Sequence, residues 1–276
     1  MPRKLLYQVG AGITPATIGS YAWVGSTQLV ESYFPVDAAT YHANGTLYLR
    51  DIAKSSGQAV KDAGGRLVKG VGVSSSADGL HLAFVTYGAT AGMMITEKLR
   101  IYDVDDLAVT TVATAQAATQ EDNDQFTWPS ISPDGALIAT EQTGSDVGFA
   151  CTVYDANGAK RLQATGLVWP APVSWTSHGS RLAFGGGSTA GGNTDSDSLN
   201  VWTTGASKAT PIVTVAKLPI LSVAWTPKAS QIAYAVAKSS GLQSSLWICN
   251  ADGSNRHLLL ADGGSPAWAV TRIAFP

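Results

Sequence analysis

An all-β fold assembled from repeated small antiparallel sheets is what this sequence predicts, and three observations predict it. Four segments repeat one pattern of apolar strand, tight polar turn and second apolar strand: Val73–Phe84, Trp128–Ala139, Val173–Phe184 and Val223–Tyr234. Their turn pairs, Asp78-Gly79, Asp134-Gly135, His178-Gly179 and Ala229-Ser230, follow one another at intervals of 56, 44 and 51 residues. A third strand trails each copy: Leu99–Asp103, Cys151–Asp155, Leu199–Trp202 and Leu246–Asn250. A self-similar period of this size is that of a four-stranded propeller blade.

Each element has a local reason. Asp-Gly tolerates the positive φ expected of a two-residue hairpin, so it joins antiparallel strands. The third strands alternate side-chain type and carry aromatic or β-branched residues that suit a half-buried pleated surface. Fourth strands follow the turns Asn157-Gly158 and Asp252-Gly253. Leu47–Asp51 reads as one more third strand, in a degenerate unit running from about Tyr21 to Val60. Near the C-terminus, Pro266–Ala269 and Arg272–Phe275 match the first two strands of a unit, and Lys4–Val9 matches a third strand. The count is six blades of four antiparallel strands, the last closed by strands from both termini. Closure of that kind leaves no free radial edge. The expectation is a single domain spanning 1–276.

The Ser132-Pro133-Asp134-Gly135 turn, Ile138-Ala139 after it, and Leu246-Trp247-Ile248 running into Ala251-Asp252-Gly253-Ser254 resemble the repeats of TolB-type six-bladed propellers. The propeller domains of prolyl oligopeptidase-like enzymes share that motif. The resemblance covers about residues 70–276 and implies fold, not function. TolB-type proteins carry an export signal and an N-terminal α/β domain, and this chain is expected to have neither. Their partner-binding role is therefore carried onto no residue here.

Composition narrows the function classes. Net charge is −2, and Lys and Arg are scattered with no basic stripe, which argues against nucleic-acid binding. No apolar run approaches the roughly 18 residues that span a bilayer, so no membrane insertion is expected. Met1-Pro2-Arg3-Lys4 is followed by only Leu5-Leu6-Tyr7 before Gln8, too short for a secretory h-region. The expected location is the cytoplasm of the producing cell or a virion, in preference to the periplasm. Charged residues make up 14% of the chain, low for a free surface. Other protein subunits are the expected partners. Cys151 and Cys249 fall on third strands of different blades, too far apart to bridge, and read as buried free thiols.

Candidate chemistry is sparse. His42, His81, His178 and His257 form no H-x-x-x-H or H-x-H pair, and there is no C-x-x-C, so no metal site is assigned. A G-x-S-x-G elbow is absent and no catalytic residue is assigned. The Gly185–Asn193 stretch lacks the Gly-Lys-Ser/Thr ending of a phosphate loop. Glu121–Asp124, Asp195–Asp197 and Asp252–Asn255 read as solvated turns, with a calcium loop as the alternative. Trp128, Trp175, Trp225 and Trp268 on first strands, and Trp202 and Trp247 on third strands, read as packing between sheets. An aromatic ligand site is the alternative. Neither a cofactor nor an enzymatic activity is expected.

Recognition is expected on long loops between second and third strands: Tyr87 to Glu97, Glu141 to Phe149, Gly185 to Asp197 and Val236 to Ser244. Met93, Met94 and Ile95 stand in the first of them as a candidate apolar interface. The leading expectation is a non-catalytic structural or protein-docking subunit of a larger assembly, a phage virion or tail component among the settings. The alternatives are a TolB-like envelope adaptor and a lactonase-like propeller enzyme with a channel metal.

Overall fold

The computed structural model describes residues 16–25, 27–35, 43–52, 54, 56–91, 94–118, 126–142, 149–167, 173–186, 196–216, 219–237 and 244–261. The terminal segments assigned to a shared sixth blade, Lys4–Val9, Pro266–Ala269 and Arg272–Phe275, lie outside these residues. Every regular element described is a strand. The chain divides into two compact units, 1–131 and 132–276.

In the first unit, β1 (Ala16–Val24), β2 (Gln28–Pro35), β3 (Gly45–Asp51) and β4 (Ser56–Ala59) form one antiparallel run. A second run is β5 (Lys69–Ser75), β6 (His81–Ala91), β7 (Met94–Asp103) and β8 (Ala108–Ala118). The two are joined where the start of β3 also pairs with β5, Gly45 opposite Gly70. The degenerate N-terminal unit is thus a four-stranded unit. β9 (Thr127–Ile131) follows. In the second unit, β10 (Leu137–Gln142), β11 (Phe149–Asp155) and β12 (Lys160–Leu167) pair in order. Two four-stranded sheets complete it: β13 (Ser174–Trp175), β14 (Arg181–Gly185), β15 (Ser196–Thr203) and β16 (Thr210–Ala216), then β17 (Ile220–Trp225), β18 (Gln231–Ala237), β19 (Ser244–Asn250) and β20 (His257–Leu260). All their neighbours are antiparallel.

Apolar side chains from adjoining sheets make the cores. Val24, Val30, Leu47, Val73, Leu82 and Phe84 pack together in the first unit. In the second, Leu199 and Val201 pack with Val223, Trp225 and Tyr234 of the following sheet. Each such side chain contributes about 1.5–3 kcal/mol when buried. Both cysteines are free and buried on third strands, as expected.

The repeated hairpin turn differs from the two-residue form expected. A Ser or Thr opens it and pairs through its backbone with the fifth residue on: Ser76 with His81, Ser132 with Leu137, Thr176 with Arg181, Thr226 with Gln231. Its hydroxyl also accepts the N–H of that fifth residue. Asp78 and Asp134 do not supply positive φ. Their carboxylates accept the hydroxyls of Ser76 and Ser132, each at 2.5 Å, and that bond holds the Asp78 carboxyl below its ordinary range. The left-handed position is the third after the Ser or Thr: Gly79 (φ 76°), Gly135 (74°), Gly179 (68°) and, without glycine, Ala229 (53°).

First strands of successive sheets are linked by side chains. The hydroxyl of Ser20 accepts the N–H of Val73 at 3.1 Å, and that of Ser74 accepts the N–H of Ile131 at 3.0 Å. In the second unit Ser174 does the same for Trp225 at 3.0 Å. Buried carboxylates repeat the device from third strands. Glu97 on β7 accepts the N–H of Phe126 at 3.1 Å. Asp197 on β15 accepts those of Ile220 at 2.6 Å and Ser198 at 2.8 Å. Burial pushes the Asp197 carboxyl up to about 6, against the pull of these backbone donors.

The turn geometry gives an expected result. Ala229→Gly should raise the unfolding free energy by up to about 1 kcal/mol, because a left-handed residue with a Cβ costs roughly 1–2 kcal/mol, partly offset by glycine's entropy. Gly79→Ala should lower it by about 2 kcal/mol, since the new Cβ would sit 2.7 Å from Val24 Cγ1 at φ 76°. Urea unfolding of both variants checks this. A destabilised Ala229→Gly protein would contradict it.

Candidate functional site

The segment holding Met94 and Ile95 is strand, not loop. β6 and β7 extend past the expected loop boundaries, with Thr90 opposite Ile95 and Ala91 opposite Met94. Met93 lies outside the described residues. Along β7 the side chains alternate. Ile95, Glu97, Leu99 and Ile101 are buried, while Met94 is 42% exposed and Thr96, Lys98 and Arg100 are partly so. Of the expected apolar trio, Ile95 belongs to the protein's own core at 3% exposure and Met94 faces outward. Three consecutive apolar residues suggest a loop tip. The period of two that continues through Thr96 to Arg100 is the signal that separates them.

A second outward apolar segment is β20. Leu258, Leu259 and Leu260 are each about half exposed. Neighbours in a strand point to opposite faces, so β20 is bare on both.

The other candidate groups are dispersed. His81 Nε2 stands 3.5 Å from Asp103 Oδ2 across the β6–β7 pair, and His178 and His257 lie exposed in a turn and on β20. Asp197 of the acidic cluster is the buried backbone acceptor described above, not a solvated turn residue. Asp252 accepts the N–H and hydroxyl of Ser254 within the β19–β20 turn, which holds its carboxyl below the ordinary range. Asp195, Glu121–Asp124 and 187–193 of the glycine-rich stretch lie outside the described residues. Among the described residues no three His, Cys, Asp or Glu side chains gather as a metal site would require.

The tryptophans split. Trp225 is buried with the Arg181 guanidinium 4.6 Å from its ring centre, and Trp202 is buried edge-on to Trp175 at 6.4 Å. Both fit the packing expected. Trp128 does not: it is 60% exposed and held at φ 43°. Next to it, Pro129 presses on Gly72, where a Cβ would lie 2.9 Å from Pro129 Cδ.

One concavity in the first unit collects charge. It has a volume of about 540 Å³, between the 62–69 segment and the face of β6 and β7 that carries Thr86, Lys98 and Arg100. Among the described residues, Arg66, Lys69, Lys98 and Arg100 line it with a single carboxylate, Asp62. Asp62 Oδ2 is committed to Arg66 at 2.8 Å. Asn44 fixes one wall by donating to the Tyr87 carbonyl at 2.6 Å and accepting the Tyr87 N–H at 2.8 Å. These cations read as scattered in the sequence. Lys98 and Arg100 share a face only because strand residues two apart do.

Among the described residues no helix is long and apolar enough to cross a membrane. Neither a family model nor a curated protein matches the chain. Solved structures do. TolB from Acinetobacter baumannii matches at 16% identity and a TM-score of 0.53, over 87% of this chain and 53% of that one, so this chain spans about half its length. The putative TolB from Agrobacterium tumefaciens matches at 13% identity and 0.54, over 93% and 83%. The β-propeller domain of the Trilobed protease from Pyrococcus furiosus, described as having an open velcro topology, matches at 10% and 0.59, over 89% and 72%. At these identities the fold is what is shared: the chain is an all-β protein of antiparallel sheets with a TolB-like β-propeller fold.

Proposed function

We propose that this protein is a non-catalytic β-propeller serving as a structural or protein-docking subunit of a larger assembly. The observation that carries the reading is how the side chains are spent. Interior polar groups, the part-buried Ser74 and Ser174 and the buried Glu97 and Asp197, are used on backbone amides of the following strands. Large apolar groups, Met94 and Leu258–Leu260, are left on strands that face outward. Exposed apolar side chains invite another chain. The low charged fraction of 14% fits a surface covered by other subunits, and a virion or phage tail is the setting we favour. A TolB-like adaptor role is the second reading, favoured by the fold shared with two TolB structures.

We also propose that the chain is one domain of six blades, closed by strands from both termini. The Trilobed protease propeller, with its open velcro topology, is the contrasting arrangement. Deleting residues 1–9 should abolish cooperative unfolding or cause aggregation. A truncated protein that melts like the intact one would sink the closure.

Docking is tested by sedimentation of a tagged chain from its producing cell. The intact protein should travel with a large assembly. Met94→Asp and Leu259→Asp should each release it to the monomer position with an unchanged melting temperature, because burying an unpaired carboxylate is costly. An intact chain that travels alone and turns over an ester, peptide or lactone substrate would overturn the reading.

A further inference from the structure

We propose that the concavity between the 62–69 segment and the β6–β7 face binds a small organic molecule carrying at least two carboxylate or phosphate groups. Among the described residues, three cations face it without a counter-ion. Asp62 offsets Arg66, and Lys69, Lys98 and Arg100 make no ion pair with any other described residue. Like charges gathered on one concave wall repel, and the repulsion is relieved when an anion enters.

Arg100 is the anchor. Its Nε is shut off from water and has no hydrogen-bond partner among the described residues, although Arg100 lines the concavity. With Nε out of reach, an entering anion meets the guanidinium through its other N–H groups. The guanidinium fork matches the two oxygens of a carboxylate or phosphate, and Lys98 and Lys69 act as point charges beside it. Lys98 stands two residues from Arg100 on the same strand face, opposite Thr86 on β6. The walls are fixed rather than collapsible. The clamp of Asn44 on Tyr87 holds one side, and the Asp62 carboxylate, which accepts the N–H groups of Gly64 and Arg66, holds the other. A volume near 540 Å³ exceeds what one inorganic ion fills and suits a ligand of metabolite size.

The test is calorimetric titration of the full chain at low ionic strength with citrate and with inorganic pyrophosphate. Saturable binding of at least one is expected, with a rise in melting temperature that sodium chloride at equal ionic strength does not reproduce. Binding of citrate alone marks a polycarboxylate site, and of pyrophosphate alone a phosphate-ester site. Arg100→Gln should weaken binding about tenfold or more, the loss expected for a charge-assisted bidentate contact. Lys98→Gln, on the partly exposed face, should weaken it severalfold without altering the fold. It keeps the test open if Arg100→Gln does not fold. Lys208→Gln, in the other unit, should change nothing. The proposal is overturned by no binding of either anion, by an effect that sodium chloride copies, or by affinity unaltered in Lys98→Gln.

Discussion

A strand at the head of a sheet has N–H groups that its own sheet cannot satisfy, and the rest of this structure depends on what captures them. Here the captor is a side chain of the preceding sheet. Hydroxyls of Ser20, Ser74 and Ser174 take the N–H groups of Val73, Ile131 and Trp225. Carboxylates of Glu97 and Asp197 take those of Phe126 and Ile220. A buried, unpaired amide costs about 1–3 kcal/mol, so each link removes a penalty and also fixes one sheet's register against the next. The apolar clusters then close over strands whose positions are already set. In the second unit Arg181 adds a further tie, donating to the Ala229 carbonyl at 2.7 Å while lying over the Trp225 ring.

Much of this was legible in the sequence because it repeats. The hairpin pattern located the turns and the strands beside them, and the degenerate first unit was found from Leu47–Asp51 alone. The turn chemistry was only half legible. Glycine after aspartate suggests a two-residue turn, but the structural agent is the Ser or Thr three residues before the left-handed position, which closes a longer loop. Ala229 shows why: it takes the left-handed place with no glycine to mark it. Glu97 and Asp197 occupy one repeat position, two residues before Leu99 and Leu199. Their role was hidden because Asp197 sits beside Asp195 and so looked like part of a solvated cluster. Exposure was the least legible property. Met94 and Ile95 are adjacent and chemically alike, yet one faces out and the other is core. Trp128 and Trp225 belong to related strands with opposite exposure. Neither distinction follows from residue type. Both follow from strand phase and from the packing of neighbours such as Pro129 on Gly72.

Scaffold and surface are distinct in this protein. Buried Glu97 and Asp197 serve backbone amides, which suits a rigid support. What varies is outward: an apolar edge on β20, Met94, and a cationic concavity on the other side chains of β7. The TolB-like fold is shared by proteins of different activity, a protease's propeller domain among them, so function must be argued from these surfaces. One strand illustrates the division. One side of β7 buries Ile95, Glu97 and Leu99, and the other carries exposed Met94 and the part-exposed Lys98 and Arg100.

Amide hydrogen exchange tests the central claim most directly. In the intact chain the Ile220 amide should be protected as strongly as the interior amides of β18, although it opens a first strand. In Asp197→Ala it should exchange orders of magnitude faster, while Trp225, held by Ser174, keeps its protection. An Ile220 amide that exchanges freely in the intact chain, or one equally protected in the variant, would contradict the claim that side chains of one sheet hold the first strand of the next.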